Sequence, residues 1–278
     1  MGSSLPIRGR APFFHFKESM MPNHVWTNLE VNGNAADIAA FKAKFCEKIG
    51  EIDHCLVFNR VIPMPEELQI TCGSETSLGK EVVAGDFKTV LNYPWVIKLM
   101  QEEQLSQTHI NALHHSRPKF LAWFAKHRPE AIELGHKVVT NIAKYGYETW
   151  YEWSIANWGT KWDAYNHVLA DDSSDTVFRC YYETAWSPAY PVLEAMSAAF
   201  PELSFRMAYA DEGGGFAGVA YCNNGGMVDD EDGDFRQICI DEFGHSNDDF
   251  YEDDYPVAAN DSEVETNSTL LKLVVNHD

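Results

Sequence analysis

Apolar and polar positions alternate in "HVWTNLEV", His24 to Val31, where Val25, Leu29 and Val31 share one face, and "NGN" closes the run. A period of two ended by turn residues predicts a half-buried strand. Next, "DIAAFKAKFCEKIG" puts Ile38, Phe41 and Phe45 at helical spacing and stops at Gly50, and "CLVFNRVIPMP" reads as a β-rich run ended by Pro63 and Pro65. Strand, helix and strand recur later. "DTVFRCYYETAW" alternates, and "SPAYPVLEAMSAAF" opens a helix with Ser187 as cap and Pro188 in the first turn. "LSFRMAYAD" then returns as a strand. Two such βαβ halves predict an α+β chain, a ferredoxin-like split βαβ sandwich with helices on one face of an antiparallel sheet. "FAGVAYCN" after "DEGGG" adds an edge strand through a hairpin; the GxGxxG match in Gly213 to Gly218 has no helix after it and is no dinucleotide fingerprint.

Between the halves, from about 86 to 157, Trp95, Leu99, Leu113, Phe120, Phe124, Val138 and Ile142 fit several short helices punctuated by Pro118 and Pro129, a helical insertion. Residues 1–20 lack a periodic pattern and precede a second start at Met20 or Met21, so they read as a separable leader or appended segment. The expected organisation is that leader, a core over 21–222 carrying the insertion, and an acidic extension over 223–278 that ends in "STLLKLVV", a last short strand or helix. The middle of the extension is acidic enough for disorder, while its Phe, Ile and Tyr residues argue that part of it docks.

With 278 residues, 45% of them hydrophobic, the chain can build a real core. It has neither a long apolar run nor a secretory leader, so a soluble, cytoplasmic chain is expected, without membrane contact. The six Cys form no CxxC pair, which points to buried free thiols and to no metal or cofactor. Net charge is −21, which opposes direct binding to nucleic acid, since phosphate neutralisation needs clustered Lys and Arg. About half of that charge sits between Asp229 and Asp254. Asp229, Asp230, Glu231, Asp232, Asp234, Asp241, Glu242, Asp248, Asp249, Glu252, Asp253 and Asp254 there face one base, Arg236. Read as a calcium loop with Gly233 at position six, the stretch puts Val228 and Cys239 where carboxylates are required, so an EF-hand is rejected.

"ETWYEWSIANWGTKWDAY" places Trp150 and Trp153 on a helix ending at Asn157 or Trp158, with Gly159 as a left-handed cap. Two readings compete for this corner. Its rings plug the junction of helices and sheet, or Trp158, Lys161, Trp162, Asp163, Glu183 and Trp186 form a recognition corner. In the second, Lys161 and the start of the next helix hold a phosphate or carboxylate. Asp163, Glu183, Asp211 and Glu212 could also form a carboxylate cluster for a divalent metal or for acid-base work.

"MPNHV", "FNRVIPMPEEL", "NWGTKWDAYN" and "ETAWSPAYPVLEAMSAAFPELSFRMAYADEGGGFAG" stand in one order. Over about 21–222 the chain resembles the YubB-type, Api-like proteins carried by bacterial plasmids and phages. The resemblance implies a ferredoxin-like fold in the second part and transfers no catalytic residue. Three functions follow as expectations. The first is a non-enzymatic binding protein of a phage or plasmid. It engages a host protein with a basic surface, a nucleic-acid-binding or defence protein, through the acidic stretch, in counter-defence by DNA mimicry, against the alternative that the stretch is a solvated tail that only aids solubility. The second is an enzyme with its pocket between insertion and sheet, using Lys161, Asp163, Glu183 and Trp186. RNA binding on an open sheet face comes third, against the charge.

Overall fold

The protein is described from a computed structural model that covers residues 23–170 and 173–250. The expected leader, the terminal "STLLKLVV", and Glu252, Asp253 and Asp254 lie outside the described residues. In chain order the elements are β1 (His24–Asn32), α1 (Ala35–Phe45), β2 (Cys46–Ile49), β3 (Ile52–Leu56), α2 (Phe58–Val61), α3 (Ser74–Val83), α4 (Phe87–Leu91) and α5 (Pro94–Glu102). After these come α6 (Gln107–His115), α7 (Arg117–Phe124), α8 (Pro129–Tyr145), α9 (Trp150–Trp158), β4 (Tyr165–Leu169), β5 (Val177–Ala185) and α10 (Tyr190–Ala199). The described chain closes with β6 (Ser204–Asp211), β7 (Ala217–Asn223), β8 (Gly226–Asp232) and α11 (Phe235–Phe243). No described helix is long and apolar enough to cross a membrane.

The fold is α+β and ferredoxin-like. Six strands form one sheet in the order β4-β5-β1-β6-β7-β8, with β6, β7 and β8 antiparallel in turn. The second half of the expected pattern, β5-α10-β6, encloses β1 between its strands. The first half behaves differently. After α1 the chain does not return to the sheet but forms a separate hairpin, β2 with β3, in which Cys46 faces Leu56 and Ile49 faces Ile52. Three of the four β2 residues are exposed, and such a strand has too little apolar surface for a sheet interior. The β-rich reading of "CLVFNRVIPMP" also needs correcting, because β3 ends at Leu56 and Phe58–Val61 turns into α2.

The chain separates into two compact units. Of the described residues, one comprises 23–25, 57–165 and 183–192; the other comprises 26–56, 166–170, 173–182 and 193–250. The first is built from short helices around Val82, Phe87, Val90, Leu91, Phe120 and Phe124. Its tightest seam joins α3 and α8, where a methyl on Gly79 would overlap the Ala131 carbonyl and one on Gly135 would overlap the Gly79 carbonyl. Both positions therefore need glycine for backbone contact between the helices.

In the second unit one face of the sheet receives α1. The Phe41 ring lies 5.5 Å from Phe178 of β5 and 5.9 Å from Phe205 of β6, and packs with Phe45 and Phe200 as well. The opposite face is not open, contrary to the expectation of helices on one side only. Residues Ala208, Ala210 and Ala217 are buried there, and Ala210 and Ala217 join Cys239 of α11, Phe250 and Trp26 in a second cluster. Arg206 on this face forms a bidentate ion pair with Glu242 of α11. Nearby, burial tends to raise the Glu30 carboxyl, but hydrogen bonds from Asn32 and Arg179 and the charges of Arg179 and Arg206 outweigh it and hold it below its usual range.

Replacing Gly79 with Val is expected to cost at least about 1–3 kcal/mol, the usual penalty of overpacking, because here the obstacle is backbone. A lowered urea midpoint for loss of helical circular dichroism checks this; an unchanged midpoint would mean that α3 and α8 do not touch at Gly79.

Candidate binding surfaces

Helix α9 begins with a capping box: Thr149 accepts from the first-turn backbone, and Glu152 accepts from the Thr149 N–H at 3.0 Å. It ends at Trp158, and Gly159 takes the left-handed conformation with φ 78°, as its place in "NWGTKW" predicts. Any side chain at Gly159 would meet the Pro191 ring. Beyond it the loop is tied down residue by residue. Ser154 Oγ donates to the Lys161 carbonyl at 2.8 Å, Thr160 Oγ1 donates to the Ala185 carbonyl at 2.8 Å, and Ala185 N–H donates back to Thr160 Oγ1 at 3.1 Å.

This frame sorts the six corner residues by what their polar atoms do. Trp158 is buried, stacks edge-on with Trp153 at 5.3 Å, and donates Nε1–H to the Ile62 carbonyl at 2.9 Å. Asp163 accepts the Phe58 N–H at 2.6 Å and the Asn59 N–H at 3.1 Å, so its carboxylate caps the first turn of α2. Glu183 lies 3.2 Å from His24 Nδ1, and the Tyr165 hydroxyl reaches the same ring nitrogen at 2.8 Å and the Thr184 carbonyl at 3.1 Å. These three residues hold the corner together. Tyr165 and His24, absent from the sequence-derived set, belong to that support.

The other three face outward. Trp162 and Trp186 are 37% and 40% exposed, and the Lys161 ammonium lies 4.6 Å from each indole centroid. Tyr165 meets Trp162 edge-on and Tyr151 meets Trp186 edge-on. Trp186 has φ 77° and its N–H donates to the Asn23 carbonyl at 2.9 Å. A bulky residue in the left-handed region costs about 1–3 kcal/mol, which the surrounding bonds must offset. Ser187 is not the helix cap expected of it. It donates to the Gly159 carbonyl, its own carbonyl accepts from Thr184 Oγ1, and α10 begins only at Tyr190. The anion site expected from Lys161 with that helix start is thus replaced by Lys161 with two indoles.

Three of the four proposed carboxylates have separate duties. Asp163 caps α2, Glu183 joins His24, and Asp211 Oδ2 accepts the Gly215 N–H at 3.0 Å inside the β6-β7 turn. No group of three or more His, Cys, Asp or Glu among the described residues has the arrangement to hold a metal ion. Two hollows in the helical unit are lined by Glu75, Tyr93, Trp95 and Arg128 and by Leu91, Ile97, Met100 and Ile110; Lys161, Asp163, Glu183 and Trp186 line neither.

In the second unit the acidic stretch is ordered secondary structure through Phe243, where a disordered middle was one expectation. Asp229, Asp230, Glu231 and Asp232 occupy β8, the last strand in the sheet order, and all four are exposed. Gly218 on β7 explains part of this edge. A side chain there would overlap the Tyr209 hydroxyl, so its absence lets Tyr209 reach across β7 and donate to Asp230 at 3.1 Å. Asp234 caps α11 through the Gln237 N–H at 2.8 Å, Asp241 accepts from the Gln237 amide at 2.8 Å, and Asp249 accepts from Ser246. Glu242 points inward to Arg206 and is no part of an exterior face; Asp248 is exposed. Arg236 bonds to Asn247 and lies over Phe250, forming no salt bridge among the described residues. Glu231 and Asp232 likewise meet no cation among them.

Residues 157–252 match the family model described as the ferredoxin-like domain in Api92-like protein. Over that segment the chain is similar to the ferredoxin-like domain of Api92-like proteins. A solved structure, the protein api92 from Yersinia pseudotuberculosis, is 13% identical, with a TM-score of 0.39, over 76% of this chain and 98% of that one. No curated protein matches the chain. The family segment opens at Asn157, so it contains the exposed Trp-Lys-Trp group, the sheet from β4 onward except β1, and the acidic edge.

All six Cys are free, as expected, five of them buried and Cys72 exposed. Burial, with Asp234 adding to it, pushes the Cys239 thiol up to about 12. Cys72 is therefore expected to react with a thiol reagent long before Cys239, as read by peptide mass mapping; equal rates would mean that α11 does not stay on the sheet. Asp163→Ala leaves two N–H groups of α2 without their acceptor and is expected to lower stability by about 1–3 kcal/mol. Thermal melting measures it, and an unchanged midpoint would remove Asp163 from the support of the corner.

Proposed function

We propose that the chain is a non-enzymatic binding protein that engages a basic surface of a host protein through its acidic edge. The observation that carries this reading is the position of Asp229, Asp230, Glu231 and Asp232, four successive exposed carboxylates on the terminal strand of the sheet. An antiparallel strand rises about 3.4 Å per residue. One strand of B-DNA carries a phosphate about every 3.4 Å along its axis, so β8 presents charge at the axial density of a nucleic-acid strand. Its carboxylates alternate between the two sides of the strand, and a groove that takes them must contact both. Exposed Val228, beside the first carboxylate, supplies an apolar contact.

A partner that reads this edge is a protein with a basic groove, of the kind that binds DNA or acts in host defence. A phage or plasmid product with such an edge would occupy that groove and keep nucleic acid out. Association of this type is steered by charge and weakened by salt.

The test compares the full chain with a variant carrying Asp229→Asn, Asp230→Asn, Glu231→Gln and Asp232→Asn, each immobilised and exposed to bacterial host lysate. A basic protein held by the native chain, lost from the amide variant, released by raised salt and displaced by duplex DNA is the expected result. Identical capture by both chains, or release that duplex DNA does not affect, overturns the reading.

A further inference from the structure

The geometry points to Lys161, Trp162 and Trp186 as a binding site for a small organic anion built on a flat ring, independent of the acidic edge. An ammonium carries three N–H donors, and Lys161 Nζ has no carboxylate or other hydrogen-bond acceptor among the described residues. In a chain with net charge −21, this cation is left un-neutralised and held against two aromatic faces. The cation–π contacts fix where the charge sits without consuming its donors. An anion approaching that point makes a charge-assisted hydrogen bond, the strong class of such bonds.

The rings supply the second half of the recognition. Both indoles are more than a third exposed, and each meets a tyrosine ring at a steep angle, Trp162 with Tyr165 at 6.1 Å and Trp186 with Tyr151 at 6.2 Å. The backbone that carries them is pinned as well. Ser154 fixes the Lys161 carbonyl, and the Trp186 N–H is bonded to Asn23 in a conformation that a bulky residue seldom adopts. Positions held this way lose little freedom on binding, so a flat ring can stack on an indole at small entropic cost. The ligand that uses both features has a planar apolar body and one acidic group within a few bonds of it. A ring carboxylate and a nucleoside monophosphate share that chemistry.

Calorimetric titration of the full chain separates the possibilities. The probes are indole-3-acetate and adenosine monophosphate, with acetate and inorganic phosphate as charge without ring, and indole and adenosine as ring without charge. At least one of the first two is expected to bind, and whichever does identifies carboxylate or phosphate as the acid. Its binding should weaken tenfold or more in Lys161→Gln and in Trp186→Leu, while the corresponding half-probes bind at least tenfold more weakly. The melting temperature of Lys161→Gln should match that of the native chain. Absence of binding by both ring acids, equal binding by Lys161→Gln, or equal binding of a half-probe overturns the assignment. A lowered melting temperature in Lys161→Gln with binding unchanged would make Lys161 a structural clamp, and also overturns it.

Discussion

Strand β6 is buried along nearly its whole length, on both of its faces, and the rest of the second unit follows from covering it. On one side Phe205 packs against the Phe41 ring of α1; on the other Ala208 and Ala210 leave room for a helix to approach closely. That helix is α11, and without it the small apolar residues and Arg206 would face water. A two-stranded extension, β7 and β8, carries the chain out to the edge and back so that α11 can lie across the sheet. The acidic segment is thus anchored by its apolar residues, and this is why its carboxylates are displayed on an edge.

The carboxylates of that segment are not equivalent. Asp234, Asp249 and Asp241 are spent on backbone or side-chain donors of their own neighbourhood, and Glu242 is bound to Arg206. Asp230 on β8 also accepts from Tyr209, yet the four β8 carboxylates are exposed in succession, and there the geometry of a strand rather than the charge total sets the spacing. An acidic edge also repels a second copy of itself, so the same residues that attract a basic groove keep the exposed strand from pairing with its like.

In the first unit a comparable division of labour shapes the corner after α9. Trp158, Asp163 and Glu183 look chemically eligible, yet each is occupied with an internal partner. Their bonds hold the loop in which Lys161 and two indoles are turned outward. Strain at Trp186 is tolerated because Thr160, Ser187 and Tyr165 surround it with bonds to the turns on either side.

Local chemistry was legible wherever a period or a cap decides the outcome. The alternation in β1 and β5, the helical spacing of α1, the left-handed cap at Gly159, the turn before β7 and the ferredoxin-like α+β class could all be read from residue order. Helix α11 is equally written there, in Asp234 as cap, Phe235, Ile238 and Cys239 on one face and Gly244 as stop, beneath a charge density that is also the mark of disorder. Three matters were settled only by tertiary packing. Whether the run after α1 rejoined the sheet depended on a surface that β2 lacks. Which carboxylates stayed outside depended on where Arg206 and the α2 N–H groups came to rest. Which side chains of "NWGTKWDAY" were support and which were surface depended on partners up to about a hundred residues away, Ile62 for Trp158 and Phe58 for Asp163. Periodicity and capping act within a few residues and leave a mark in the sequence, whereas the partner of a buried donor or carboxylate is chosen by the fold as a whole.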